Sequence, residues 1–289
     1  MSEIEHYAAP ATLDEAVDCL QQVGEVTILA GGTDLMPQHR SGRLKPQRTL
    51  MNIRGIAELR GVSVSGGEIH IGALTTITEL QDNPLVRAHL PLLIEACDHF
   101  ASDQIRNAAT IGGNICNASP AGDLLVPLLA LDARVELVSK PDGALFRRSM
   151  PIAEFFVGPG KTRRAPVELL AGVSIPLPPK NYFGRFFKFG TRPALDISTI
   201  SIGLGGVLEG GILSRVRVAF GAVAATPVRA LLTEAALEGR PLTAATIAAA
   251  AAAARDEVTP IDDVRASAWY RKELIHNMTK RILDHVAQA

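Results

Sequence analysis

Thr110-Ile111-Gly112-Gly113-Asn114-Ile115-Cys116-Asn117-Ala118-Ser119-Pro120-Ala121-Gly122-Asp123 gathers small, hydroxyl and amide residues into one stretch that ends in an acid. An apolar run, Leu124 to Leu131, follows at once. Glycine frees the backbone φ and removes Cβ, so main-chain N–H groups here can approach a ligand closely. Thr110, Asn114, Asn117 and Ser119 add short donors. Successive N–H groups in such a turn form a nest for an anion without any Lys or Arg. Asp123 suits the other end of a nucleotide, because a carboxylate accepts hydrogen bonds from ribose hydroxyls. Taken alone, the stretch reads more simply as a surface loop capping a buried helix, since short motifs often match by chance.

A second stretch shifts that balance. Val26-Thr27-Ile28-Leu29-Ala30 reads as a short buried strand. Gly31-Gly32 follows, then Thr33-Asp34 as a helix start and Leu35-Met36 before a polar segment that runs to Gly42. A strand, a double glycine and a helix N-terminus place N–H groups at one point, which favours a pyrophosphate. Two such loops, neither holding a basic residue, suggest one dinucleotide held by main-chain donors.

Together, Ala30-Gly31-Gly32-Thr33-Asp34-Leu35 and Thr110-Ile111-Gly112-Gly113-Asn114 resemble the FAD-binding subunit of the molybdenum hydroxylases, the family of xanthine dehydrogenase and carbon monoxide dehydrogenase. The resemblance covers nearly the whole chain, and the pair of motifs at this spacing is specific where either alone is weak. It implies an α+β fold in which two N-terminal subdomains clasp FAD (a PCMH-type domain), followed by a smaller α+β C-terminal domain of antiparallel strands and helices. It implies a pyrophosphate held by the main chain of Leu29, Ala30, Gly31, Gly32, Thr33, Asp34 and Leu35. Thr110, Gly113, Asn114, Cys116 and Asp123 carry over from the second motif. Phe100 and Ala109 fall where relatives contact the adenine or the wall around the flavin, and Leu170 at a main-chain contact. Lys188 falls near the flavin ring, and Arg192 where relatives place a side chain over its face. Each has a plainer reading: core packing for Phe100, an N-cap for Asp34, a small buried filler for Cys116, and a solvated strand edge for Lys188 and Arg192. Asp196 is a candidate to order the Arg192 loop through a charge pair.

The resemblance also implies partners: a large molybdopterin-binding subunit and a small subunit with 2Fe-2S clusters, arranged as a dimer of heterotrimers, with NAD or another acceptor taking the electrons. One branch of the family carries an extra 4Fe-4S cluster in a cysteine-rich insertion. This chain has three cysteines, Cys19, Cys97 and Cys116, and no such insertion, so FAD alone is expected here.

Composition agrees with a soluble globular chain. The 289 residues suit one large or two modest domains. Net charge is −1 and aromatics are 4%, which argues against nucleic acid. Met1-Ser2-Glu3-Ile4-Glu5 is acidic and lacks an apolar core, so it does not read as a secretory signal. The Ala-rich run from Pro241 to Ala254 is too short for a membrane span of about 20 residues. Three widely separated cysteines are no disulfide framework, and a cytoplasmic setting is expected.

Along the chain, Thr12–Glu15 and Thr76–Glu79 read as capping boxes. Leu13, Ala16, Val17 and Leu20 share one helical face. Strands are expected at 49–53, around 68–74, at 133–138 and at 169–175, and one long helix from Pro84 to Phe100. Ile175-Pro176-Leu177-Pro178-Pro179-Lys180 is the linker candidate, dividing an FAD-binding domain at 1–176 (subdomains about 1–55 and 56–176) from a C-terminal domain at 181–289. After it come a strand at 183–189, a hairpin of 198–208 and 212–218 about Glu209-Gly210-Gly211, and helices at 228–238, 244–255 and 262–287.

Some motifs fail on inspection. Gly160-Lys161-Thr162 ends like a P-loop, but the required first glycine falls at Phe155. Gly203-Leu204-Gly205-Gly206-Val207-Leu208 lacks the last glycine of a dinucleotide fingerprint and lies in the hairpin. Asn277-Met278-Thr279 matters only in a secreted chain. No HExxH or CxxC occurs, so no zinc site is expected. Two rival readings stay open: a self-contained FAD oxidase or dehydrogenase, and a non-redox scaffold of the same fold. Sparse His and Tyr in the C-terminal part weaken the first, and two intact glycine stretches the second.

Overall fold

Thr12 starts the first helix, α1 (Leu13–Val23), by accepting a hydrogen bond from Glu15 N through its hydroxyl. The Glu15 carboxylate takes the N–H of Ala11 rather than that of Thr12, so the expected box closes one residue early. The computed structural model describes residues 4–192 and 195–288. Met1–Glu3, part of the stretch read for a leader, lies outside them, as do Pro193, Ala194 and Ala289. Leu13, Ala16, Val17 and Leu20 of α1 are all buried against a small parallel sheet. Its strands are β1 (His6–Ala8), β2 (Val26–Leu29) and β3 (Thr49–Asn52), with β3 in the middle. The short α2 (Leu35–Arg40) leaves the end of β2.

A second sheet is antiparallel. In chain order it holds β4 (Val62–Ser65), β5 (Glu68–Gly72), β6 (Arg134–Ser139) and β7 (Phe146–Pro151). A short pair, β8 (Phe156–Gly158) and β9 (Lys161–Thr162), stands beside it, and β10 (Leu169–Pro176) runs down its middle in the order β4-β5-β10-β6-β7. Residues Leu169 to Ile175 are buried without a break. A central strand covered on both faces reads as a continuous apolar run, and this one does.

Helices fill the stretch between β5 and β6: α3 (Ile77–Asp82), α4 (Pro84–His89), α5 (Pro91–Asp98), α6 (Asp103–Arg106), α7 (Ile111–Asn117) and α8 (Leu125–Ala130). The Thr76–Glu79 capping box is complete. The long helix expected from Pro84 to Phe100 is two helices. Pro91 forces Leu90 out of the helical region, to φ −122° and ψ 59°, because its ring clashes with the preceding residue. A one-turn α9 (Ile152–Phe155) follows β7. Every residue of α8 is buried, each large side chain there contributing about 1.5–3 kcal/mol on leaving water.

Beyond residue 181 the chain builds a third sheet from β11 (Tyr182–Phe189), β12 (Ile200–Glu209) and β13 (Ile212–Gly221), with the two-residue β14 (Val228–Arg229) and β15 (Arg240–Pro241) on the far side of β13. Gly210 and Gly211 both have positive φ, 57° and 77°, as a two-residue hairpin turn requires. The helices α10 (Leu231–Leu237), α11 (Ala244–Glu257) and α12 (Ala268–Gln288) pack on this sheet around Phe220, Leu204 and Ile275. The helix expected at 228–238 begins later because Val228 and Arg229 pair with β13 instead. Arg217 and Arg229 each bond the Asp132 carboxylate after α8, at 2.7 and 2.6 Å, which ties the third sheet to the rest. Among the described residues no helix is long and apolar enough to cross a membrane.

Candidate functional site

The end of β2, the start of α7 and the start of β10 enclose a cleft of about 790 Å³. That volume falls within the roughly 300–1,000 Å³ usual for small-molecule and cofactor sites.

The first wall is Ala30 to Leu35. A Cβ on Gly31 would stand 2.0 Å from the carbonyl oxygen of Ala108, so only glycine lets this loop lie against the neighbouring chain. Gly32 has φ +73°, which a side chain would strain. The N–H groups of Gly31, Gly32, Thr33 and Asp34 donate to no protein acceptor among the described residues. Asp34 occupies the N-cap position of α2, but its side chain makes no cap bond and instead accepts from Gln38 Nε2.

The second wall corrects the sequence reading. Residues 111–117 are helix, not a glycine-rich turn, and neither Gly112 nor Gly113 has positive φ. Thr110 caps the helix by accepting from Gly113 N at 3.0 Å. Ile111 N donates to Thr75 O at 3.0 Å, Gly112 N to Ala73 O at 2.9 Å and Asn114 N to Thr110 O at 3.0 Å. These N–H groups are spent inside the protein, so the stretch is no anion nest. Gly112 serves close approach: a Cβ there would lie 2.6 Å from Ala73 Cβ. What α7 offers the cleft is a side chain. Asn114 Oδ1 is buried with no partner, although a buried acceptor normally finds one.

Asp123 lies at the junction with the third sheet. Its Oδ2 accepts from Lys188 Nζ at 2.7 Å and its Oδ1 from Ser198 Oγ at 3.0 Å. Burial pushes the Asp123 carboxyl above its ordinary range, while the Lys188 ammonium pulls it back. Lys188 also donates to His99 O and is 9% exposed, so it is no solvated edge. A carboxylate accepts about four hydrogen bonds, so Asp123 retains capacity for a ligand hydroxyl.

Of the residues singled out from sequence, Ala30, Gly31, Gly32, Thr33, Asp34, Leu35, Phe100, Ala109, Thr110, Gly113, Asn114, Cys116, Asp123 and Leu170 line one cleft. Leu29, Lys188 and Arg192 are not among the lining residues. Leu29 lies behind Gly32, and Lys188 reaches the cleft only through Asp123. Phe100 is both core and wall, at 8% exposed. The Cys116 thiol is pushed up to about 11 by burial, so it is protonated and inert at neutral pH. Asp196 orders its loop without an ion pair to Arg192 among the described residues. It accepts from Thr191 Oγ1 at 2.7 Å, Ile197 N at 2.9 Å and Arg192 N at 3.2 Å, and its carboxyl is held down at about 2 chiefly by Thr191.

Sequence reasoning missed a third wall. Gly160 and Thr162, from the segment read as a failed P-loop, line the cleft, as do Arg164, Leu195 and Ile197. Gly160 closes the tight turn between β8 and β9 with φ +69°, and Thr162 ends the short strand β9.

The residues present fit a flavin dinucleotide, with unpaired N–H groups for a pyrophosphate, an orphaned acceptor at Asn114 and a carboxylate for a hydroxyl. Comparison with known proteins agrees. Residues 2–178 match the family described as the FAD binding domain in molybdopterin dehydrogenase, and residues 185–286 the CO dehydrogenase flavoprotein C-terminal domain. The chain belongs to the FAD-binding subunits of the molybdenum hydroxylases. It is 37% identical to the xanthine dehydrogenase FAD-binding subunit of Escherichia coli, over 100% of this chain and 98% of that one. It is 34% identical to the nicotinate dehydrogenase FAD-subunit of Eubacterium barkeri, over 98% and 95%. A chain of carbon monoxide dehydrogenase from Hydrogenophaga pseudoflava superposes with a TM-score of 0.90 at 34% identity, covering 96% of this chain and 94% of that one. Like these relatives, the chain is a component of an oxidoreductase.

Proposed function

We propose that the cleft holds FAD and that this subunit carries electrons out of a molybdenum hydroxylase complex. The observation that supports it most is the run of unpartnered N–H groups from Gly31 to Asp34 in the same cleft as the buried, unpartnered Asn114 Oδ1. The N–H groups bind the pyrophosphate, for which the positive end of α2 adds little because the helix is short. Asn114 Oδ1 accepts a proton donor of the ligand. Asp123 accepts a ribose hydroxyl, and the Lys188 ammonium offsets part of the cost of burying it. Phe100, Ala109, Thr110, Gly113, Cys116 and Leu170 form the apolar and main-chain wall that excludes water. When bound, FAD supplies the redox chemistry, receiving electrons that originate at a molybdenum cofactor in a large partner and pass through 2Fe-2S clusters in a small one, then delivering them to NAD or another acceptor. No side chain need act as acid or base. The setting is cytoplasmic, the assembly a dimer of heterotrimers, and the chain divides at 176–181 into the two domains read from sequence.

The test is the flavin content of the purified full chain, alone and co-expressed with its partner chains. We expect about one FAD per chain. Gly32→Val and Gly113→Val remove it, the first through strain and the second by driving a branched side chain into the Thr110 cap hydroxyl, 2.9 Å from the Cβ position. Absence of flavin even with partners present overturns the reading. Substrate-dependent bleaching of the isolated chain favours a self-contained oxidase instead.

A further inference from the structure

The cleft lining carries three carboxylates, Asp34, Asp123 and Asp196, and Arg164 is its single Lys or Arg among the described residues. Asp123 is balanced by Lys188, but Asp34 and Asp196 meet only uncharged donors. An anionic ligand entering such a cleft meets a net negative wall unless a cation answers it, and charges in a partly water-excluded cleft interact far more strongly than in bulk water.

Arg164 is built to answer it. Its Nη1 is fixed on the carbonyls of Ala165 and Glu168, at 3.0 and 2.6 Å, with Pro166 O at 3.4 Å. No hydrogen bond of its Nε or Nη2 to a protein acceptor occurs among the described residues, and no direct ion pair of its side chain is found there, although its charge also bears on the Glu168 carboxylate, which Arg148 holds. A guanidinium presents five donors in a rigid fork and cannot lose its charge. Pinning one nitrogen aims the rest without entropy still to lose on binding. Its charge also reaches the Cys116 thiol, another cleft-lining group, which places it within electrostatic range of α7.

We propose that Arg164 is a further binding residue for the dinucleotide, supplying through its free guanidinium edge the positive charge that offsets the pyrophosphate. The inference rests on the reading of the cleft as the FAD site. It gives the Gly160–Arg164 segment a role that the two glycine stretches do not cover.

The experiment titrates FAD into flavin-free full chain by quenching of flavin fluorescence, for the natural protein, Arg164→Gln and Arg164→Lys, with the unfolding temperature of each flavin-free chain measured alongside. Loss of a charge-assisted contact weakens FAD binding by about ten- to a hundred-fold in Arg164→Gln. Arg164→Lys recovers most of it, and the flavin-free unfolding temperatures stay together. Unchanged affinity in Arg164→Gln overturns the proposal. So does Arg164→Lys binding as weakly as Arg164→Gln, or a fall in unfolding temperature that tracks the loss, since either makes Arg164 a brace for the 165–168 turn. The same titration is run with the partner chains present, and failure of the natural protein to bind FAD under both conditions removes the parent reading and this one with it, told apart by the unsubstituted control.

Discussion

Gly112→Ala tests why the central stretch needs its first glycine. If Gly112 served backbone freedom, alanine would be welcome, because the residue is helical with no positive φ and alanine favours a helix over glycine by about 1 kcal/mol. The structure predicts the opposite. The new methyl would lie 2.6 Å from Ala73 Cβ and 2.7 Å from Ala73 O, against a comfortable separation of about 3.5–4.0 Å. Ala73 cannot easily recede. Its N–H donates to Ala171 O on β10, and its carbonyl accepts from Gly112 N itself, both at 2.9 Å. Overpacking of this kind costs about 1–3 kcal/mol, and detaching Gly112 N from Ala73 O adds about 1 kcal/mol. After the propensity gain, a net loss of about 1–3 kcal/mol remains. Urea unfolding of flavin-free protein reads it as a lowered midpoint at unchanged slope. Gly158→Ala is the control: open space surrounds its Cβ position and its φ is ordinary, so its midpoint holds or rises slightly. An equal or higher midpoint for Gly112→Ala would refute the close-approach argument.

Lys188→Met leaves the buried Asp123 carboxylate without its cation and lowers stability near neutral pH by about 3–5 kcal/mol, most of which returns in the double variant with Asp123→Asn; a single variant as stable as the parent contradicts the buried pair. Asp196 holds its loop as a carboxylate with its titration depressed from 3.8 to about 2, so its contribution is full above the ordinary value and is lost as pH falls toward 2. The protection factor of the Ile197 amide, each rate referred to the intrinsic exchange rate at that pH, should fall in that window, and protection unchanged down to pH 2 argues against the tether. Burial sets the thiols of Cys97 and Cys116 at about 12 and 11, so at pH 8 only about one Cys116 in a thousand is thiolate. Rapid labelling of Cys116 by a thiol reagent at that pH would show the site to be wrongly described.

Much of the cleft was legible because its first two walls advertise themselves. Gly31-Gly32 after a β-branched strand is a local signal, Thr110 and the glycines after it were read as a turn, and the structure brings both stretches to one cleft. The state of residues 111–117 was not legible. Two glycines and an asparagine are poor helix formers, and the helix exists because Thr110 caps it and Ala73 and Thr75 accept its first N–H groups, contacts from distant sequence. The third wall was hidden for a related reason. Gly160, Thr162 and Arg164 carry no recognisable pattern, and only the fold brings them to Cys116 and Leu170. Strand β7 escaped notice because Arg147, Arg148 and Ser149 break the alternation, as an exposed edge strand allows. The break at Leu90 was readable in principle, since Pro91 stands in the sequence.

Asp123 belongs to the cleft, yet both of its oxygens are gripped by residues beyond position 181, Lys188 on β11 and Ser198 just before β12. Whatever binds at this carboxylate therefore bears on the third sheet, and by reciprocity the seating of that sheet bears on the cleft. The two halves are thus not interchangeable modules. A chimaera that joined residues up to 180 to the tail of a distant relative would have to import a cation and a hydroxyl at the same two places. Without them the graft would bury a bare negative charge at the seam, and the cleft, though untouched in its own sequence, would inherit the fault.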